Sequence, residues 1–148
     1  MNRNTQALVG IVLTALLLIG VLTLAMPKKE PEKKGPADIT VVIDFGGQTP
    51  PQGNSSGASP WTFQLSLDNA TVFSALDTAS KNSNFTFKTD WYPNFRSHRI
   101  SEIAGVHDGT DNRYWQYYVN GQYMDKGADL VGLADGDTVR WEFRSALQ

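Results

Sequence analysis

From Ala7 to Met26 the chain runs for twenty residues without a charge, reading ALVGIVLTALLLIGVLTLAM. Wound as a helix at about 1.5 Å per residue, such a run spans roughly 30 Å, the thickness of a bilayer's hydrocarbon core. It is therefore read as a single transmembrane anchor, with residues 1–6 as a short N-terminal tail. A secretory signal has a shorter apolar stretch of about 7–15 residues and a small-residue cleavage site. Thr23-Leu24-Ala25 offers only a weak site of that kind, so the anchor is expected to stay uncleaved. Residues 27–37 form a stalk whose prolines and charges cannot bury apolar surface. What remains to fold is 38–148, which is 111 of the 148 residues, enough for a modest core without metal or disulfide support.

The side of the membrane is set by opposing signals. Lys28, Lys29, Lys33 and Lys34 follow the apolar run and only Arg3 precedes it, which by the positive-inside rule favours a cytoplasmic domain. The sequons at Asn54, Asn69 and Asn84 and the aromatic, Asn- and Gly-rich composition favour export. The expectation is an extracytoplasmic domain at the cell surface, supported also by the family resemblance described below.

From Asp38 onward, 8 Lys and Arg stand against 13 Asp and Glu, leaving about −5. With no basic stripe, the domain is a poor partner for nucleic acid, whose affinity comes mainly from phosphate neutralisation. The chain has no cysteine, which excludes a disulfide framework, a thiol nucleophile and a Cys-ligated zinc. All 4 Trp, 5 Tyr and 7 Phe fall in the domain.

Hydrophobic periodicity gives the element order. Ile39, Val41, Ile43 and Phe45 alternate with polar or smaller residues, and so do Trp61, Phe63, Leu65 and Leu67. With the Gly-, Pro- and Ser-rich loop 46–60 between them, these strands read as a hairpin. Asp68 and Asn69 are good N-cap types, and Val72, Phe73, Leu76 and Ala79 form the stripe of a helix over 70–81. Strands are expected at 85–89, within 97–106, at 114–120 closed by Asn120-Gly121, and around Val139, Trp141 and Phe143. Trp91, Tyr92 and Phe95 are placed in a loop around Pro93. The fold class is thus α+β, a small mixed sheet covered by one helix in a β-grasp-like arrangement.

Several segments in that order carry a resemblance. They are Asp44-Phe45-Gly46, Ala70 to Leu76, Ile103-Ala104-Gly105-Val106, Tyr114-Trp115-Gln116-Tyr117-Tyr118-Val119-Asn120-Gly121, Gly127-Ala128-Asp129 and Asp135 to Trp141. Across about 39–143 the chain resembles the transcobalamin-like C-terminal domain family of bacterial and archaeal surface proteins. In transcobalamin and intrinsic factor the related domain closes over cobalamin held against a helical barrel. The resemblance implies the fold and a ligand-contacting surface. Cobalamin is implied by resemblance only, since 148 residues contain no such barrel, and no cofactor is expected.

Catalytic chemistry finds little support. There is no GxSxG elbow, and His98 and His107 have no special spacing. The acidic loop from His107 to Asn112 lacks a calcium-binding register, and Glu102 and Glu142 imply no cleft for glycoside hydrolysis. No metal site and no enzyme activity are expected. The aromatics carry the functional expectation. Alternation puts Tyr114, Gln116 and Tyr118 on one face of their strand and Trp115, Tyr117 and Val119 on the other. A sheet covered by one helix would expose one set as a stacking surface. The candidate ligand-binding residues are Trp91, Tyr92, Tyr114, Trp115, Gln116, Tyr117, Tyr118 and Asn120. They imply a module that binds a small molecule, glycan or partner protein. The competing reading is a structural or adhesion module of the envelope.

Overall fold

The computed structural model describes residues 35–53 and 60–146. The expected anchor over 7–26, the tail before it and the stalk as far as residue 34 lie outside the described residues, as does the first sequon. Among the described residues no helix is long and apolar enough to cross a membrane.

The first strand, β1 (Ala37–Asp44), begins inside the expected stalk, because Ala37 already pairs with Leu67. It runs antiparallel to β2 (Trp61–Leu67), closing the expected hairpin. Alternation sets its faces: Ile39, Val41 and Ile43 are all 0% exposed, and fully burying each such side chain is worth about 1.5–3 kcal/mol. On β2, Thr62, Gln64 and Ser66 point to solvent while Trp61 and Leu65 are buried.

The helix α1 (Val72–Ser83) starts later than its cap-forming residues suggest. Thr71, not Asp68 or Asn69, is the N-cap: its hydroxyl accepts from Ser74 N–H at 3.1 Å, and Ser74 Oγ accepts from Thr71 N–H at 2.8 Å. This reciprocal capping box satisfies two otherwise orphaned donors. Asn69 instead adopts a left-handed turn conformation (φ 49°). Val72, Ala75, Leu76 and Ala79 form the buried stripe, and Asn84 ends the helix in the left-handed region.

A hairpin follows. β3 (Phe87–Tyr92) pairs antiparallel with β4 (Ser97–Ile103), and β4 with the short β5 (Val106–His107), making a three-stranded sheet. Trp91 and Tyr92 are therefore strand residues and not part of the loop expected around Pro93. Their pairing with His98 and Ser97 draws the strand out to Tyr92 and leaves only 93–96 for the turn. Lys88, Glu102 and His107 lie in one row across the three strands. The Glu102 carboxylate is 3% exposed and meets Lys88 Nζ at 2.6 Å and His107 Nδ1 at 3.0 Å.

The chain then forms β6 (Arg113–Val119), β7 (Gln122–Tyr123) and, after a segment with a 3-10 turn at Ala128–Leu130, β8 (Thr138–Ser145). The larger sheet has the order β2-β1-β8-β6-β7, with β1 and β8 parallel at its centre. Two successive left-handed residues, Asn120 (φ 50°) and Gly121 (φ 80°), make the tight β6–β7 turn. One face of this sheet carries the core, packed against α1 and the smaller sheet. Trp141 and Phe143 of β8 are 2% and 1% exposed there. On the opposite face stands a charge ladder in which Arg140 meets Asp44 and Glu142, each at 2.6 Å, and Arg144 meets Glu142 at 3.0 Å. The domain is mixed α+β, with two sheets and, among the described residues, one α-helix.

Candidate binding pocket

A recess of about 510 Å³ is bounded by the tip of the β3–β4 hairpin, the inner faces of β6 and β8, and the segment 123–130. That volume lies in the usual range for small-molecule sites, about 300–1,000 Å³. The inner wall is aromatic. Trp115 and Tyr117 of β6 and Trp141 of β8 share one face because Trp141 is the direct cross-strand partner of Tyr117. Their rings lie 5.0 Å apart, centre to centre. Trp115 is fixed by its own indole N–H, which donates to Val106 O at 2.9 Å.

The outer wall is the segment 123–130, which three contacts hold in place. Tyr117 Oη donates to Lys126 O at 2.7 Å. Asp129 accepts from Ser97 Oγ at 2.7 Å, from His98 N–H at 3.2 Å and from His98 Nδ1 at 2.9 Å. Gly127 sits against Ser97 so tightly that no β-carbon fits. The His98 ring is packed between Phe73 and Trp91, at centroid distances of 5.5 and 4.7 Å. With Nδ1 donating to the carboxylate, Nε2 is left as an acceptor in the neutral ring. Ser97, His98 and Asp129 do not form a nucleophilic relay, since the serine hydroxyl donates to the aspartate and not to the imidazole.

Electrostatics follow from these contacts. Burial, with the nearby charges of Asp125 and Asp129, pushes the Tyr117 hydroxyl up to about 12. Burial also works to raise Asp129, but the hydrogen bonds from Ser97 and His98 outweigh it and hold the carboxyl below its ordinary value. Asp108, which accepts from Trp115 N–H at 2.7 Å, is raised by burial against the pull of that bond and of Arg99.

The mouth is apolar. Five large hydrophobic residues are notably exposed among those described: Trp91 (52%), Tyr92 (37%), Phe95 (73%), Tyr123 (44%) and Leu130 (56%). All but Trp91 line the recess, and Trp91 adjoins Tyr92. These exposed residues are thus gathered at one place and not scattered singly over the surface.

The expected site residues divide among the recess, the opposite face of β6 and the β6–β7 turn. Tyr92, Trp115, Gln116 and Tyr117 line the recess. Tyr114 and Tyr118 are half-buried on the opposite face of β6, where the Tyr118 hydroxyl receives a hydrogen bond from Arg144 Nη1 at 3.2 Å. The Gln116 amide donates to Ser145 O at 2.9 Å. Asn120 serves the turn, with its side chain bonded to Asp137 at 2.8 Å and to Thr138 N–H at 2.9 Å. Phe95, which the sequence groups with Trp91 and Tyr92, also lines the recess, and so do His98, Met124, Leu130 and Trp141, which were not among the expected set. Trp141 had a readable signal, since it shares a strand face with Val139 and Phe143, but only the β6–β8 register places it beside Tyr117. Among the described residues no three His, Asp or Glu side chains converge as metal ligands.

A family model for a domain of unknown function, DUF4430, matches residues 69–145, which is 77 of the 148 residues. The chain belongs to the DUF4430 family. The match takes in α1, the smaller sheet and β6 to β8, and so every residue lining the recess. No curated protein matches in sequence. Among solved structures, this DUF4430 chain is similar to a protein from Ruminococcus gnavus ATCC 29149 described as a candidate metal-binding protein. That likeness has a TM-score of 0.55 and 17% identity, over 75% of this chain and 99% of the other. It is also similar to haptocorrin in complex with Cbi, with a TM-score of 0.58 and 16% identity, over 78% of this chain and 27% of haptocorrin. At these identities the likeness is one of fold.

Proposed function

We propose that this DUF4430 chain is a membrane-anchored, extracytoplasmic binding module that takes a small molecule into the recess between the β3–β4 hairpin and the β6–β8 wall. The observation that carries this reading is the pairing of a built aromatic interior with an apolar mouth. Trp115, Tyr117 and Trp141 are buried and locked in place, yet they line a recess of about 510 Å³ whose rim holds four of the five exposed large hydrophobics. A preformed, mostly apolar cavity with a few placed polar groups is the usual form of a ligand site. The twenty uncharged residues from Ala7 supply the tether. The strand order, with one helix across the sheet, is read as a β-grasp of the transcobalamin-like kind. Haptocorrin's complex with Cbi makes a flat, ring-bearing ligand a reasonable first trial. Binding and not catalysis is favoured because Ser97 and His98, bonded to Asp129, and Tyr117, bonded to Lys126 O, are committed to holding the outer wall of the recess.

The test is a titration of the full chain in detergent with cobalamin, a panel of oligosaccharides and a set of heteroaromatic fragments, following tryptophan emission. A saturable change that is lost in Leu130→Asp supports the reading, because that side chain is exposed and its replacement leaves the core intact. No response to any of the three classes counts against a small-molecule site and moves the account to a structural module of the envelope.

A further inference from the structure

β3 (Phe87–Tyr92) forms one edge of the smaller sheet, whose order is β3-β4-β5. Among the described residues it pairs with β4 alone, so its outer side is open to another strand. An open edge strand is a template for pairing with a further chain unless something blocks it. Lysine is a common block, and Lys88 stands here with its side chain 65% exposed. Asp90, two residues on, is also exposed and shares the face of Lys88, because side chains alternate along a strand. Arg99, the cross-strand partner of Asp90, is turned to Asp108, and Asp90 makes no ion pair among the described residues. An edge that carries a positive and then a negative charge admits a strand with the reverse order. Run antiparallel, a second copy of β3 is such a strand.

We propose that β3 is the contact by which two copies of this chain associate, their β3 strands pairing antiparallel about a two-fold axis through Thr89. Lys88 of each copy then lies opposite Asp90 of the other, a pair that the symmetry supplies twice. Lys88 already donates to Glu102 at 2.6 Å, and an ammonium has further donors to give. On the other face of the strand, Phe87 lies opposite Trp91 of the second copy. That pair extends the row of rings Phe87, Phe73, His98 and Trp91 and covers a Trp91 side chain that is 52% exposed. Aromatic cross-strand pairs are among the favourable ones. The neighbouring two-fold registers fail. Centring on residue 88 sets Lys88 against Lys88, and centring on residue 90 sets Asp90 against Asp90, like charges directly opposite each other. The pairing requires no ligand in the recess.

Because the chain has no cysteine, introduced thiols read the register directly. Thr89→Cys and Asp90→Cys are made in the full chain, reconstituted in lipid vesicles and mildly oxidised. In the proposed register the two thiols at position 89 face each other with β-carbons about 4.5–5.5 Å apart, whereas those at 90 lie on a diagonal of about 7–8 Å. A disulfide needs about 3.5–4.5 Å between β-carbons, which a slight strand movement supplies only at 89. The expected result is a disulfide-linked dimer with Thr89→Cys and none with Asp90→Cys. Adding Asp90→Lys to Thr89→Cys should abolish the dimer, since it sets lysine opposite Lys88. No linkage at 89, equal linkage at both positions, linkage at 90 alone, or linkage that survives Asp90→Lys overturns the proposal. Sedimentation of the cysteine-free chain in detergent decides the matter should Thr89→Cys fold poorly. The native chain should sediment as a dimer that Asp90→Lys, a change at an exposed position, converts to monomer. A native chain that stays monomeric at every concentration overturns the proposal.

Discussion

A β-carbon added to Gly127 would lie 1.2 Å from the Ser97 hydroxyl oxygen, so the segment that closes the recess can approach β4 only with glycine at this position. The constraint is steric, since the Gly127 backbone (φ −63°) is one that any residue can adopt. Gly127→Ala is expected to push the 123–130 segment off β4, costing about 1–3 kcal/mol as overpacking does. Urea unfolding measures the cost. Combining the change with Ser97→Gly should restore part of it, and a double variant as unstable as the single one would show that the clash lies elsewhere.

Asp129 is the second fastening of that wall. Its folded-state carboxyl is held below its ordinary value, so the stabilisation it gives is present above the unfolded pKa, about 4, and is lost as pH falls through the folded value. Asp129→Asn should cost about 1 kcal/mol at neutral pH through weakened hydrogen bonds. It should also flatten the decline of stability on the acid side of pH 4. Denaturant midpoints across that range check both effects.

Tyr117 sets the alkaline limit. With its hydroxyl pushed up to about 12 from the ordinary tyrosine value of 10.0, the folded state holds this proton more tightly than the unfolded chain does. Its stabilisation is therefore complete below pH 10 and is lost as pH rises from about 10 to 12. Tyrosinate absorbance should contain a component with a midpoint near 12 that disappears in Tyr117→Phe. That variant should lose stability less steeply with pH across the same window.

Thr71→Ala removes the hydroxyl that caps α1 and one half of the capping box. The expected loss is about 1 kcal/mol, with the helix itself retained by its buried stripe. Asp68→Ala should have little effect, and a larger loss there than at Thr71 would reassign the cap.

Much of the fold was written in periodicity. The two alternating runs at 39–45 and 61–67 specify a hairpin, because shifting either by one residue would turn Val41 and Leu65 to water. The helix was readable from its stripe but misplaced at its start: Asn69 and Thr71 are both cap formers, and only the Ser74 contact decides between them. The site was legible in part. The aromatic run at 114–118 marked the right strand, but which of its faces meets a cavity depends on what packs on each side. The β3–β4–β5 sheet, joined to the inner face through contacts distant in sequence, supplies that answer. The fastening of Asp129 to Ser97 and His98 spans separations of 32 and 31 residues, which no local pattern encodes.

The central claim is that ligands meet the inner face of β6 and not the outer one. Aromatic side-chain resonances of the full chain, recorded with and without a bound heteroaromatic probe, separate the two faces in one measurement. Perturbations are expected at Tyr117, Trp115 and Trp141, with Tyr114 and Tyr118 unmoved. Shifts confined to Tyr114 and Tyr118 would contradict it.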